Sequence, residues 1–395
     1  MRTDQKSLHL KIPIERFKKS IACPEKFHSV GILPFRLKES ISISMKQVLI
    51  VGPASSKTGG IAQYINEQIS HLNEYETKTY DISPPDGAGL IWISFTILHA
   101  IGSLVEFAMR ERPDVVHIHT SYGLSFVRAS AYIITTRFVL RRPVILHIHG
   151  SSFDDFVATD SRTMAWYQSA IFGLTCRVIV LSAYWEDVIA KRVDEERIRV
   201  LPNAIDPDDY DPDPTSSVPH IVIVSNLIER KGIRELVQAI HRLQESSSRP
   251  FRVTMAGKGP LSGEVAELAN KYDTVEYQGY VSEREKRAIL ESGTIYTLPS
   301  YAEGLPIGIL EGMAAGNAVI STDVGSIPEV IGKKNGRIVP SGKVTELRQA
   351  ITYLIQNPDV VEDMAAQNIA DIEDEYSWST IADHLEDIYD ECVSG

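Results

Sequence analysis

Two carboxylates, Glu303 and Glu311, flank a Gly304-Leu305-Pro306 turn within the stretch SYAEGLPIGILEGMAAGNAVIS at residues 300–321. Such a turn suits an oxygen-rich or anionic ligand. Pro306 fits the first helical position, where its missing N–H would have been unpaired anyway. The free N–H groups of that first turn then face outward with the helix dipole behind them. Leu298-Pro299 closes the preceding strand, so the turn sits where a strand hands over to a helix, which is where open α/β sheets bind ligands. Glu303 belongs to the loop and Glu311 lies more than one turn into the helix. The two therefore grip different parts of one ligand and do not share a proton.

Other residues fit the same kind of ligand. In SNLIERKGI, Lys231 sits at a helix start after a strand, where a cation and a helix N-terminus can together neutralise negative charge. Gly59-Gly60, in GPASSKTGGIAQY, lets backbone come close to a ligand at a helix start; an ordinary tight turn is the alternative reading. Residues 52–58 half-resemble a phosphate-binding P-loop, but Ser56 stands where a glycine is required before Lys57, which sets aside a P-loop NTPase. A G-x-G-x-x-G fingerprint is missing, which weakens an oxidoreductase reading. His117, His119, His147 and His149 alternate with apolar residues on two strands, so only one set faces a cleft at each strand end. His119 and His149 lie closest to those ends. Without an acidic ligand nearby, histidines at i, i+2 are weak grounds for a metal, and none is expected.

E-G-L-P-I-G-I-L-E, followed by Met313-Ala314, a small-residue strand and Gly325-Ser326-Ile327-Pro328-Glu329, resembles the signature of the retaining glycosyltransferases of family four. The resemblance runs over most of the chain from Met45 onward. It implies the GT-B fold and transfer of a sugar from a nucleotide diphosphate. By that likeness Glu303 holds the donor sugar, helped by the backbone of Gly304, Leu305, Pro306 and Ile307. Glu311 takes the ribose hydroxyls, Lys231 the diphosphate, and His149 stands on the acceptor side near the anomeric carbon, with His119 close by. The loops Gly257-Lys258-Gly259-Pro260 and Gly279-Tyr280-Val281 are similar to those framing the nucleotide base, which adds Lys258, Tyr280 and Val281 to the donor-binding set. Many relatives carry an arginine in place of Asn226. Asn226 can donate a hydrogen bond but brings no charge, and Arg230 compensates only if its turn rotates it inward. The implied mechanism has no protein nucleophile, no metal and no cofactor beyond the nucleotide-sugar co-substrate, either a UDP- or a GDP-sugar. The acceptor hydroxyl attacks the face that the diphosphate leaves, and a phosphate oxygen takes its proton.

Composition limits the partners. The chain has 395 residues, 43% hydrophobic and 23% charged, with a net charge of −12. That is the profile of a soluble globular protein of two domains. The acidic balance argues against nucleic acid, which calls for a basic face. Cys23, Cys176 and Cys392 are too few and too scattered for a disulfide framework or a metal cage, which points to a reducing cytosol. Residues 1–44 are rich in Lys and Arg without the apolar run or cleavage site of a secretory signal. They are either a basic extension near the membrane or a stretch before the real start at Met45, and the second reading is preferred.

The elements that must position these residues follow from alternating apolar runs and helical periodicity. Buried strands are expected at 46–52, 115–119, 144–149 and 178–181, then at 220–225, 252–256, 294–298, 318–322 and 337–340, with amphipathic helices between. The result is two Rossmann-like, doubly wound domains facing across a cleft. Residues 45–203 form the acceptor domain, 204–219 a Pro- and Asp-rich linker, 220–372 the nucleotide-sugar domain, and 373–395 end in a helix expected to cross back. The apolar run at 89–109 nearly matches a bilayer span. His99 and Glu106 interrupt it and a strand follows at once, so a crossover helix with its outer face on the membrane surface is expected. Arg128, Arg137, Arg141 and Arg142 on the next apolar helix support that, or else form a solvated face. A lipid-linked saccharide is then the preferred acceptor, a soluble saccharide the alternative. This places the protein in the cytoplasm, peripheral to the inner membrane face. A sugar-nucleotide epimerase of related architecture and a non-catalytic sugar-nucleotide-binding subunit compete. A glycoside hydrolase also uses two carboxylates, but has no need of Lys231 or a ribose-binding group.

Overall fold

Residues 45–53, 59–85, 90–212 and 218–395 are described by the computed structural model, with only the backbone course for 90–95 and 97. The basic stretch 1–44 with Cys23, most of the loop compared with a P-loop, and positions 213–217 of the expected linker lie outside the described residues.

The first lobe runs β1 (Lys46–Gly52), α1 (Gly60–His71), β2 (Tyr75–Asp81), α2 (Leu90–Ala108), β3 (Val115–Thr120), α3 (Leu124–Thr135), β4 (Val144–Ile148), α4 (Phe153–Val157), α5 (Arg162–Gly173), β5 (Arg177–Val180), α6 (Ala183–Ile189) and β6 (Ile198–Val200). The second runs β7 (His220–Val224), α7 (Ile233–Ser246), β8 (Arg252–Ala256), α8 (Ser262–Lys271), β9 (Val275–Gly279), α9 (Glu283–Glu291), β10 (Ile295–Leu298), α10 (Ile307–Ala314), β11 (Ala318–Thr322), α11 (Ile327–Val330), β12 (Gly336–Val339), α12 (Val344–Gln356) and α13 (Pro358–Glu375). A last helix, α14 (Trp378–Ser394), closes the chain.

Each lobe holds one six-stranded sheet, ordered β2-β1-β3-β4-β5-β6 and β12-β11-β10-β7-β8-β9. All strand pairs are parallel, for example His119 beside His147 across β3 and β4. Central strands such as β3 and β4 are buried along their whole length, as parallel strands covered on both faces must be. The strand order reverses between β1 and β3 in one sheet and between β7 and β10 in the other. Those reversals open crevices at the carboxyl ends of the strands, and both crevices face the gap between the lobes.

The chain passes between the lobes twice. Ile205 and Ser377 form a parallel bridge. Ile205 N–H donates to Tyr376 O at 2.8 Å and Trp378 N–H to Ile205 O at 3.0 Å. Beyond this seam α14 returns to the first lobe, where Trp378, Ile381, Leu385, Ile388 and Tyr389 pack with Val48, Ile50, Tyr64, Ile65 and Val115. Asp390 accepts from Lys46 at 2.6 Å, and Glu391 pairs with Arg177 at 2.7 Å and Arg199 at 2.8 Å. Cys176 and Cys392 form a disulfide with Cα atoms 6.0 Å apart. This corrects the expectation of scattered cysteines: the two are 216 positions apart in sequence, and the returning helix makes them neighbours. With these two cysteines paired, cysteine usage no longer points to a reducing compartment.

Among the described residues no helix is long and apolar enough to cross a membrane. α2 is a crossover helix that packs on α3, leaving Leu98, Ile101, Val105 and Met109 exposed. Leu124, Val127, Phe138 and Val139 extend that apolar surface. Arg128 does not belong to the basic face, because its guanidinium turns inward and donates to Ile82 O at 3.0 Å. Arg137 and Arg141 stay at the surface.

Candidate functional site

Tyr296 in β10 lies beneath α10, whose Gly308 and Gly312 leave no room for a Cβ against the tyrosine ring. That close approach sets where the helix begins. Pro306 is the cap residue, one position earlier than expected, and α10 starts at Ile307. The reason is its backbone, still extended at ψ 119°. The consequence for binding is the same, since the amides of Ile307 and Gly308 have no acceptor among the described residues. Gly325 takes φ +55° with its Cα against Glu303 O, where a side chain would collide, and so braces the loop carrying Glu303.

Across the strand-order reversal, the turn after β7 packs edge-on against that loop. Gly232 takes φ +67°, and a Cβ there would stand 2.0 Å from Pro299 O. Tyr301 N–H donates to Arg230 O at 2.8 Å. This docking aims Lys231 at Glu303: Nζ lies 2.5 Å from Oε1, which also accepts from Ser300 Oγ at 2.6 Å. Arg230 turns inward too, donating to Ala302 O and standing 3.5 Å from Glu303 Oε2. Glu303 is only 5% and Glu311 6% exposed, so each needs a cation. Glu311 finds Lys286, at 2.6 Å. Lys286 also bonds Glu283 at 2.5 Å. Burial opposes its charge, yet Glu311 and Glu283 prevail and hold its pKa above the ordinary lysine value.

These groups line a cavity of about 500 Å³ between the lobes. Gly59, Gly60, His149, Asn226, Lys231, Lys258, Tyr280, Val281, Glu303, Gly304, Leu305, Pro306, Ile307 and Glu311 all reach it. His119 does not. It is 1% exposed and sits behind His149, with Nδ1 2.9 Å from His149 Nε2. His149 Nδ1 has no partner among the described residues. Burial lowers the His149 pKa to about 3, and that of His117 likewise. His119 and His147 are held well below the usual imidazole value by burial and by neighbouring histidines. All four rings are neutral at physiological pH. His117, His119 and His147 each place a nitrogen within 4.8 Å of the others, the one such cluster among the described residues. The His117 and His147 rings stack nearly parallel, and no carboxylate joins them.

Sequence reasoning missed Lys286, Glu283 and Asn203, which also line the cavity. Lys286 carried only a faint signal, the helix start Ser282-x-x-Glu285, whose reciprocal capping box fixes the first turn of α9 and so its lysine. Asn203 bridges the lobes, donating to Leu305 O at 2.6 Å. A second bridge lies beyond the cavity: Ser326 Oγ donates to Ser182 Oγ at 2.8 Å, and Glu329 accepts from the amides of Ala183 and Tyr184 at 3.0 and 2.7 Å. A carboxylate of the second lobe thus caps α6 of the first.

Comparison with known proteins agrees with the fold. Residues 59–209 match the model of Glycosyltransferase Family 4, and residues 218–357 that of Glycosyl transferases group 1. The chain belongs to this family of glycosyltransferases, with the GT-B fold. It is 27% identical over 299 residues to the phosphatidylinositol N-acetylglucosaminyltransferase gpi3 subunit of Schizosaccharomyces pombe, covering 73% of this chain and 63% of that one. The chain thus spans about three fifths of the length of that relative. Among solved structures, sucrose-phosphate synthase from Thermosynechococcus elongatus superposes with a TM-score of 0.71 at 16% identity, over 88% of this chain and 99% of that one. HepE from Anabaena, solved with UDP and glucose, superposes with a TM-score of 0.66 at 16% identity, over 87% and 98%.

Proposed function

We propose that the protein transfers a sugar from a nucleotide diphosphate to a saccharide or lipid-linked acceptor, with retention and without a metal. The observation that carries this reading is the pair of buried carboxylates on the β10–α10 connection, each held by a lysine from another element: Glu303 with Lys231 of the turn after β7, and Glu311 with Lys286 of α9. Glu311 takes the ribose hydroxyls, as a bidentate acceptor can. Glu303 and the free amides of Ile307 and Gly308 hold the sugar. In the reaction the bond from the anomeric carbon to the diphosphate breaks and its electron pair goes to the phosphate oxygen. The acceptor oxygen bonds the anomeric carbon on the same face, and its proton passes to that phosphate oxygen. Lys231 meets the negative charge as it grows, and fixed charges of this kind are the main contribution such a site makes. His149, neutral, can accept or donate a hydrogen bond at the sugar but brings no charge.

A uridine nucleotide is supported by the UDP bound to HepE; a guanosine nucleotide is the other arm of the test. The exposed apolar surface of α2 and α3, rimmed by Arg137 and Arg141, supports a lipid-linked acceptor met at the cytoplasmic face of a membrane. Thermal-shift measurements with UDP- and GDP-sugars should show stabilisation by one nucleotide class, lost in Glu311→Ala. Stabilisation that survives this substitution refutes the ribose role. Product analysis separates the rivals: turnover that requires an added acceptor discards the epimerase and the non-catalytic binder together.

A further inference from the structure

Donor chemistry of this kind leaves the cavity with a diphosphate, and the charges that could receive it can be counted. The cationic side chains lining the cavity are Arg230, Lys231, Lys258 and Lys286, against Glu283, Glu303 and Glu311. Lys286 is spent on two carboxylates. Lys258 stands over the Tyr280 ring, 5.3 Å from its centroid. Lys231 is bound to Glu303. Asn226, at the mouth of the same turn, has no charge to give. A lone ammonium already shared with a carboxylate is poor neutralisation for a leaving diphosphate.

Arg230 is the group still available. Only its Nη1 is used, by Ala302 O and more distantly by Glu303, and Nε and Nη2 have no partner among the described residues. The bond from Tyr301 N–H to Arg230 O and the left-handed Gly232 fix the turn so that Arg230 and Lys231 both face inward. We propose that Arg230 is the second cation on the diphosphate, taking the place that Asn226 leaves uncharged. Its planar fork can meet two phosphate oxygens at once. It meets the bridging group while Lys231 stays between the phosphate and Glu303. This rests on the glycosyl-transfer reading above and assigns a further catalytic residue within it.

The test compares binding of UDP and GDP with that of uridine and guanosine, alongside donor turnover. Arg230→Ala should weaken the preferred diphosphate by about 10- to 100-fold, the size expected for a charge-assisted bond, and leave the nucleoside unchanged. Arg230→Lys should recover part of the loss. Adding Asn226→Arg to Arg230→Ala should restore diphosphate binding and kcat/KM to within about tenfold, because charge returns to the same crevice. An arginine at 226 that fails to rescue, or equal loss of diphosphate and nucleoside, assigns Arg230 to holding the Ala302 loop and overturns the proposal. So does an Arg230→Ala protein that binds and turns over like the wild type. A wild-type protein that binds neither diphosphate overturns the transferase reading itself, which is a separate result. Arg230→Gln, which keeps the side-chain length and a donor, replaces Arg230→Ala if the latter melts early.

Discussion

Glu311 and Lys286 depend on each other. Lys286→Met leaves a carboxylate 6% exposed without its cation, and such a group either protonates or swings away. On the ribose role proposed for Glu311, a contact made alike in ground and transition states, the donor KM should rise about tenfold with kcat little changed. Steady-state kinetics at saturating acceptor will show it; a fall in kcat with constant KM would contradict the role. The histidine cluster makes a prediction of opposite character. Folded-state pKa values of about 3 for His117 and His149 lie below the unfolded value of about 6.5. The unfolded chain therefore binds more protons as pH falls, so this stability is complete above about pH 6.5 and drains away below it. Each neutral imidazole adds up to about 1.4 kcal/mol per pH unit in that range. Neither nitrogen of His147 has a partner among the described residues, so His147→Leu gives up no hydrogen bond there and should flatten the pH dependence of the urea midpoint between pH 7 and 5. An unchanged slope would remove the cluster from the account. At this scale the residues legible as lining the cavity were those set by backbone motif, Glu303, Glu311 and Lys231 among them. Lys286 was not, since which face of α9 meets the cavity is decided by packing.

Elements were legible in proportion to their burial. β1, β8 and β11 fall at their expected residues, and the other buried strands within one or two. The three strands that escaped notice, β2, β6 and β9, lie at sheet edges, and all three mix buried with exposed residues, in YETKTYD, IRV and VEYQG. An edge strand has one neighbour and a wet side, so its sequence need not be apolar. The turn after β7 is a sharper case, because its left-handed Gly232 is required by the contact with Pro299 as well as by the local chain. Gly232→Ala forces a Cβ against Pro299 O at a left-handed φ and should cost about 2 kcal/mol or more, with donor binding lost as Arg230 and Lys231 turn away. A thermal melt with nucleotide titration measures both, and a fully stable, fully binding variant would contradict the docking. Glu329→Ala, by uncapping α6 across the lobes, should widen the scattering profile of the free protein and lower kcat/KM about tenfold, leaving its melting temperature nearly unchanged.

At the scale of the whole molecule, the disulfide between Cys176 and Cys392 closes a very long loop. Such a link typically contributes about 2–4 kcal/mol. Cys392→Ser should therefore lower the melting temperature in oxidising buffer, and reductant should bring the wild type down to the mutant. Identical melting curves in the two buffers would mean that the bridge adds nothing. The two-lobed architecture was legible because each half repeats the same alternation. The bridge was not, since nothing in the spacing of three cysteines says that the chain doubles back.

That doubling back also dictates an order of assembly. The helix that covers the first sheet is encoded after the second lobe, so a ribosome has translated that whole lobe before the first can bury Tyr64 and Ile50. The lobe made earliest is finished last. Until then its bare face is the stretch of this polypeptide that chaperones would have to shield.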